Sequence, residues 1–137
     1  MTMTPEACQF SMNMLLEQET DLTSQLSVLL DTEYAAITGK DFAAYEQAIN
    51  DKALTVEQHE HLERERIALV ESAGYKPGPA VILYFIQWCD PEKNIASRWE
   101  QLLTLARKCR DQNRRNHQLV ELCSRHTRET LHILRGE

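Results

Sequence analysis

The last third of the chain carries a seam that constrains the fold more than any other feature of the sequence. From Ile95 onward, positions alternately four and three residues apart share one helical face, and no glycine or proline intervenes before Gly136. This spacing predicts a coiled-coil-like helix that ends at that glycine. Asp90 and Pro91 predict its start, because Asp accepts free amide hydrogens and proline needs no donor in the first turn. The predicted helix, 91–135, is about 65 Å long and cannot bury its own apolar face. Its seam positions are Ile95, Trp99, Leu102, Ala106, Cys109, Asn113, Asn116, Val120, Cys123, Thr127, Thr130 and Leu134.

The middle of this seam is polar. Asn113 and Asn116 stand where buried aliphatic side chains would each contribute roughly 1.5 to 3 kcal/mol. Two interpretations remain open: the amides fix the register of a packed core, or they belong to a recognition surface left open for another protein.

Two further long helices are predicted upstream, over 5–37 and 42–73. The connection between them is short and contains Gly39, which favours antiparallel neighbours. Glu19 and Glu33 interrupt the apolar face of the first helix, and we expect both at its flank with their carboxylates in water. The predicted seam of the first helix is Cys8, Met12, Leu15, Glu19, Leu22, Leu26, Leu29, Glu33 and Ala36.

An almost continuous apolar run follows the second helix, from Ala80 to Cys89. It is far shorter than the about 20 residues that a membrane helix needs, so no membrane insertion is predicted. No other segment could pair with it as a strand, which favours a short helix over 79–88 that is apolar all round. Such a helix must be covered by the bundle or by another chain. The candidate partner surface is Val81, Ile82, Phe85 and Trp88.

The sequence therefore predicts an all-α protein, with a single domain over 1–137. Its architecture is an elongated antiparallel bundle of three long helices, 5–37, 42–73 and 91–135, plus the short apolar helix 79–88. The low content of 4 glycines and 4 prolines agrees with long helices.

Charge is distributed unevenly along the chain. Residues 1–75 hold 4 Lys and Arg against 14 Asp and Glu, whereas residues 98–137 hold 9 against 5. The basic helix contains no aromatic residue among its arginines to stack bases, and the acidic helices of the same chain can neutralise it. Nucleic-acid binding is therefore not predicted.

The sequence lacks the motifs of common catalytic and metal sites. Its four cysteines form no C-x-x-C pair, so reduced, buried thiols are expected rather than a zinc site. His59 and His61 diverge on a helix, and Glu129-x-x-His132 is one copy of a motif that di-iron bundles need twice. No catalytic residue, metal or cofactor is predicted. The N-terminus lacks a basic region followed by an apolar core, so a cytoplasmic location is expected.

The residues around the two asparagines resemble a known signature. The run from Arg110 to Glu121, Arg-Asp-Gln-Asn-Arg-Arg-Asn-His-Gln-Leu-Val-Glu, is similar to the N-x-x-N-G-x-L-[IL] motif of FlgN, the type III export chaperone of flagellar hook-filament junction proteins. Arg98-Trp99 precedes this run. Lys52 with the segment 62–66 resembles the family's second helix, and the segment 15–19 its first. His117 stands where the family usually has glycine, and longer members carry a flexible tail beyond the position of Glu137.

This resemblance implies a chaperone, not an enzyme, that holds the C-terminal helices of hook-filament junction proteins and delivers them to the flagellar export apparatus. A partly polar seam suits this role, because an amphipathic client helix can supply the missing apolar face. A homodimer is a further candidate assembly. The alternatives are a structural coiled-coil oligomer without a client and a ferritin-like di-metal bundle. The predicted client-binding residues are Asn113, Asn116, His117, Leu119, Val120, Cys123, Thr127, Leu131 and Leu134.

Overall fold

The computed structural model describes residues 3–76, 78, 80–90 and 92–136. In this part of the chain there are four helices and no strand, which confirms the predicted all-α bundle. The helices are α1 (Pro5–Thr38), α2 (Phe42–Ser72), α3 (Val81–Cys89) and α4 (Asn94–Leu134). The predicted first residues of the last two helices, Pro79 and Pro91, lie outside the described residues.

Short polar side chains fix the start of each long helix. Thr4 Oγ1 accepts a hydrogen bond from the amide of Ala7, and Asp41 Oδ1 accepts one from Ala44. Asp90 is buried and accepts from the amide of Asn94 at 3.0 Å and from that of Ala96 at 2.9 Å. Each carboxylate or hydroxyl satisfies amide hydrogens that lack a partner inside the helix. Asp90 thus accepts first-turn amide hydrogens of α4 as predicted, but α4 begins at Asn94 and not at 91, because Lys93 before it has a left-handed backbone conformation, with φ of 60°.

α1 is the central element of the bundle. It runs antiparallel to α2, because Glu19 pairs with Arg66 and Glu33 pairs with Lys52. It runs parallel to α4, where contacts advance together along both helices from Thr23 with Cys109 to Leu30 with Asn116. α3 crosses one end of the bundle and contacts all three long helices.

The apolar core is concentrated at the α3 end. Phe85 of α3 is fully buried there, together with Met12 and Leu16 of α1 and Ile95 of α4. Tyr75 packs edge-on to Phe85, with ring centroids 6.1 Å apart. The inner face of the apolar helix is thus covered by the bundle.

The buried face of α1 differs from the predicted seam by one position over its central part. Leu16, Thr23, Ser27 and Leu30 are buried there beside the predicted seam residues Glu19 and Glu33, whereas the predicted leucines are half-buried: Leu15, Leu22, Leu26 and Leu29. α1 contacts α2 on one side and α4 on the other, so its buried face is wider than a two-helix seam.

Candidate functional site

α4 is longer than the helices beside it, and its C-terminal end extends beyond them. Contacts between α1 and α4 are offset by 86 in residue number, both at Thr23 with Cys109 and at Leu30 with Asn116. This offset places Thr38, the last residue of α1, level with position 124 of α4. About 10 residues of α4, or roughly 15 Å of helix, therefore extend past the end of α1.

The extending part of α4 is exposed on all sides. Every residue from Glu121 to Gly136 is exposed, including Leu131 at 43%, Ile133 at 74% and Leu134 at 77%. Just before it, Leu119 and Val120 are half-buried. Large apolar side chains grouped at an uncovered helix end are typical of a surface that binds another protein. We call residues 119–134 the α4 end.

The predicted client-binding residues divide into two groups in the structure. Leu119, Val120, Cys123, Thr127, Leu131 and Leu134 lie on the α4 end. His117 is exposed two residues before it, with its Nε2 3.3 Å from Glu121 Oε1. The prediction of buried thiols is wrong for Cys123, which is exposed because α4 has passed the bundle at this point, whereas Cys8, Cys89 and Cys109 are buried.

The two asparagines have different surroundings. Asn116 is 1% exposed, and its Nδ2 donates to the carbonyl of Leu30 at 2.7 Å and to Glu33 Oε1 at 2.8 Å. Asn113 is exposed and accepts a hydrogen bond from Lys52 Nζ at 3.3 Å. The structure thus places Asn116 in the core instead of on the floor of an open surface.

Glu33 joins all three long helices at this level. It is 3% exposed, and its Oε2 accepts from Lys52 Nζ of α2 at 2.7 Å while its Oε1 accepts from Asn116 of α4. A buried carboxylate is costly unless charge and hydrogen-bond partners surround it, and here both oxygens have one. The prediction that Glu33 reaches water at the helix flank is therefore wrong.

A second set of polar contacts joins α1 to α4 beside Asn116. Gln112 is buried and exchanges hydrogen bonds with Ser27, accepting at 2.9 Å from its hydroxyl and donating at 3.1 Å to its carbonyl. Gln112 and Arg115 also donate to Asp31, and these hydrogen bonds lower the pKa of that carboxyl. The guanidinium of Arg115 lies 3.9 Å from the ring centroid of Tyr34. The extending end of α4 is thus anchored to α1 at its root.

Glu19 forms a buried ion pair deeper in the bundle. It is fully buried, and both oxygens accept from Arg66 Nε, at 3.2 and 3.0 Å, while His59 lies 4.0 Å away. Desolvation raises the pKa of Glu19, and Arg66 opposes this shift. Arg66 also lies 5.0 Å from the ring centroid of Trp99, so the pair connects α1, α2 and α4. The prediction of a solvated flank is wrong for this glutamate too.

The predicted partner surface on α3 is only partly exposed. Phe85 is fully buried and belongs to the core, which is the opposite of a free partner surface. Val81 and Ile82 are half-buried, and Trp88 is 37% exposed beside the more exposed Leu83 and Tyr84. The burial of Phe85 follows from its place on the side of α3 that faces the bundle.

Sequence reasoning missed several residues that hold the site. Lys52, Arg66 and Gln112 carry the contacts between helices, and Leu122 and Ile133 add apolar surface to the α4 end. Lys52 and Arg66 lie 14 residues apart, as do Glu33 and Glu19, so matched charge spacing on α1 and α2 was the available signal.

The described residues contain neither a cluster suited to bind a metal ion nor a helix suited to span a membrane. Among them, no group of three or more His, Cys, Asp and Glu side chains could hold a metal ion. None of the four described helices is both long and apolar enough to cross a bilayer. Burial raises the pKa of the Cys89 thiol to about 11, which suits a core thiol and not a reactive one.

The chain matches a known protein family. The family model described as FlgN protein matches residues 9–137, nearly the whole chain. No curated protein and no solved structure matches the chain significantly. The family match includes all four helices except the first residues of α1, and it also includes the two asparagines and the α4 end. The chain therefore belongs to the FlgN family, which gives it the general role of a flagellar export chaperone.

Proposed function

We propose that this chaperone binds the C-terminal helical segments of hook-filament junction proteins in the cytoplasm and delivers them to the flagellar export apparatus. Membership of the FlgN family supports the class of client. The observation that carries the proposal is the α4 end, which presents large apolar side chains beyond the rest of the bundle.

The α4 end has the chemistry of a helix-binding surface. Leu131 and Leu134 are one turn apart, and Val120 and Thr127 precede Leu134 at spacings of seven residues. These positions share one side of the helix, so a client helix could pack along them as in a coiled coil. Burial of each leucine side chain contributes roughly 1.5 to 3 kcal/mol in favour of binding.

Asn116 and Asn113 have a positioning role in this proposal. Asn116 fastens α4 to Glu33 and to the carbonyl of Leu30, one turn before the α4 end starts. An isolated helix as short as the extending part of α4, about 10 residues, is marginal in water, so this part depends on the helix that continues from the anchored residues. The signature asparagine thus holds the root of the binding surface.

The double variant Leu131→Ser with Leu134→Ser tests the proposal. Calorimetric titration uses a synthetic peptide with the C-terminal helical segment of a hook-filament junction protein. We expect the variant to bind at least about tenfold more weakly, since two leucines lose their apolar contact. The melting temperature should stay close to wild type, because both residues are exposed.

Val28→Ser is the matched control, since Val28 is 67% exposed on α1. It should leave the affinity unchanged. Equal affinities of wild type and the double variant would refute the α4 end as the client surface. If the wild-type protein does not bind the peptide and instead self-associates through the α4 end, the structural coiled-coil alternative is favoured.

A further inference from the structure

α2 and α4 lie on either side of α1 without packing directly on each other. Among the described residues, no Cα atom of α2 comes within 8 Å of one of α4, whereas each helix approaches α1 within that distance. Long side chains bridge the two at Lys52 with Asn113 and at Arg66 with Trp99. Packed helices have axes 8–10 Å apart, so α2 and α4 are separated by a groove with these bridges at its base.

One wall of this groove carries exposed apolar side chains at heptad spacing. Ile49 and Val56 lie three residues before and four residues after Lys52, so they share the side of α2 that faces α4. Phe42 lies seven residues before Ile49. Their exposed fractions are 84% for Phe42, 36% for Ile49 and 39% for Val56. Three large apolar residues thus follow one line along α2.

The other wall continues into the α4 end. Asn113 marks the side of α4 that faces α2, because it accepts the hydrogen bond from Lys52. Val120, Thr127 and Leu134 follow Asn113 at intervals of seven residues and therefore lie on the same side. The groove and the surface assigned to the client above are one continuous strip of the molecule.

The two outer edges of the groove carry opposite charge. Glu46 and Glu60 are exposed on α2, three residues before Ile49 and four residues after Val56. Arg110 and Arg114 are exposed on α4 beside Asn113. Arg110 pairs with its neighbour Asp111 within α4 at 3.3 Å, and both side chains are exposed, so this is a weak interaction that a partner can replace. A helix in the groove meets acidic side chains along one edge and basic ones along the other.

From this geometry we infer that the client helix lies between α2 and α4 as a fourth helix, with Phe42, Ile49 and Val56 as its second apolar contact. This inference rests on the proposed function and adds α2 to the binding surface. The partner it fits is an amphipathic helix with acidic residues along the edge next to Arg110 and Arg114. Basic residues on its opposite edge meet Glu46 and Glu60. Such a helix turns three long helices into a four-helix bundle.

The apolar wall is tested with the double variant Ile49→Ser and Val56→Ser, and separately with Phe42→Ser. The assay is titration with the junction-protein peptide used above. Each variant should bind at least about fivefold more weakly than wild type, because each loses apolar surface that the peptide covers. Leu54→Ser is the control, since Leu54 is 57% exposed on α2 but lies two residues from Lys52 and so on another side. It should bind like wild type, and all proteins should keep their helical circular dichroism.

The charged edge is tested with Arg110→Gln and Arg114→Gln together, at low and high salt. The expected result is an affinity at least about threefold lower at low salt, with the difference shrinking as salt rises. Lys108→Gln is the control for a single removed charge and is compared with Arg110→Gln alone, because Lys108 lies two residues from Arg110 and so on another side of α4. Equal losses of affinity from these two single variants would mean unspecific attraction and would overturn the assigned edge.

The outcomes separate this inference from the proposed function. If the Leu131→Ser and Leu134→Ser variant loses the peptide while the Ile49→Ser, Val56→Ser and Phe42→Ser variants retain it fully, the client binds the α4 end alone and the groove is refuted. If the wild-type protein does not bind the peptide, the proposed function fails and the groove assignment fails with it.

Discussion

Replacement of Asn116 by alanine should destabilise the free protein. The side chain is 1% exposed, and its Nδ2 donates to the carbonyl of Leu30 at 2.7 Å and to Glu33 at 2.8 Å. Alanine removes both of these bonds and leaves one oxygen of a buried carboxylate without its partner. It also removes the bond that Asn116 Oδ1 accepts from Arg115 Nε at 3.1 Å, which costs less because the side chain of Arg115 is 41% exposed and reaches water. A buried group that loses its partner costs about 1–3 kcal/mol, with the higher values for charged groups. Together the two losses lower the free energy of unfolding by about 3 kcal/mol, which corresponds to a fall in melting temperature of roughly 10 °C.

Asn113→Ala provides the comparison. Asn113 is exposed and has one hydrogen bond, at 3.3 Å from Lys52, so its loss should cost no more than about 0.5 kcal/mol. Urea unfolding and thermal melting, both followed by circular dichroism at 222 nm, measure the two variants beside wild type. If Asn116→Ala unfolds at the same urea concentration as Asn113→Ala, the core role of Asn116 is refuted, and an effect on client binding alone would restore a recognition role.

Three further predictions follow from burial and charge. Phe85→Glu should cost about 4 kcal/mol or more in unfolding free energy, whereas Tyr84→Glu, at a site 63% exposed, should cost less than about 0.5 kcal/mol; similar melting temperatures of the two variants would contradict the packing of α3. Cys123 should react with a thiol reagent in the native protein, and Cys109 only after denaturation. Mass spectrometry of the labelled peptides measures this, and faster labelling of Cys109 than of Cys123 in the native protein would contradict the burial of Cys109. Desolvation raises the pKa of Glu19 in the folded state, so the folded state binds its proton more tightly than the unfolded state. The unfolding free energy of wild type, relative to that of Glu19→Gln, should therefore rise as pH falls from 7 through that raised pKa. Urea titrations between pH 7 and 4.5 in which this difference in unfolding free energy falls with pH would refute the sign.

Much of the fold could be predicted from the spacing of apolar residues and from helix-start chemistry. The predicted helices 5–37 and 42–73 end within one residue of α1 and α2, because Thr4, Asp41 and the short connection at Gly39 act locally. Such signals need no knowledge of tertiary neighbours. α4 was predictable for the same reason, since an uninterrupted seam of about 40 residues leaves few other structures.

The predictions that were wrong concern residues whose burial depends on which helices pack together. The buried positions Thr23 and Ser27 are small and polar, and only the approach of α4 with Cys109 and Gln112 explains their burial. Glu19 looked like a solvated flank residue because its cation, Arg66, is 47 residues away in sequence. The partners of a buried charge are fixed by tertiary structure, and a single helical pattern does not reveal them.

The seam of α4 illustrates both cases. Its residues were predicted to share one face, and Ile95, Leu102, Cys109 and Asn116 are indeed buried. The sequence pattern continues through Thr127 and Leu134 without change, yet the end of α1 at Thr38 leaves those residues exposed. The boundary between core and surface is set by the length of the neighbouring helix, which the seam itself does not encode.

The parallel arrangement of α1 and α4 has a consequence for the order of folding. α1 and α2 meet through a connection of three residues, so their hairpin forms from contacts that are close in sequence. The bonds from α1 to α4 span 81 to 86 residues and must wait until α2 and α3 have been made. Contacts so distant in sequence tend to form after local ones. α4 is therefore expected to dock on α1 after the α1–α2 hairpin has formed. The exposed part of α4 from Glu121 onward lacks buried contacts, so the segment proposed to hold the client is also expected to open more easily than the anchored part of the same helix.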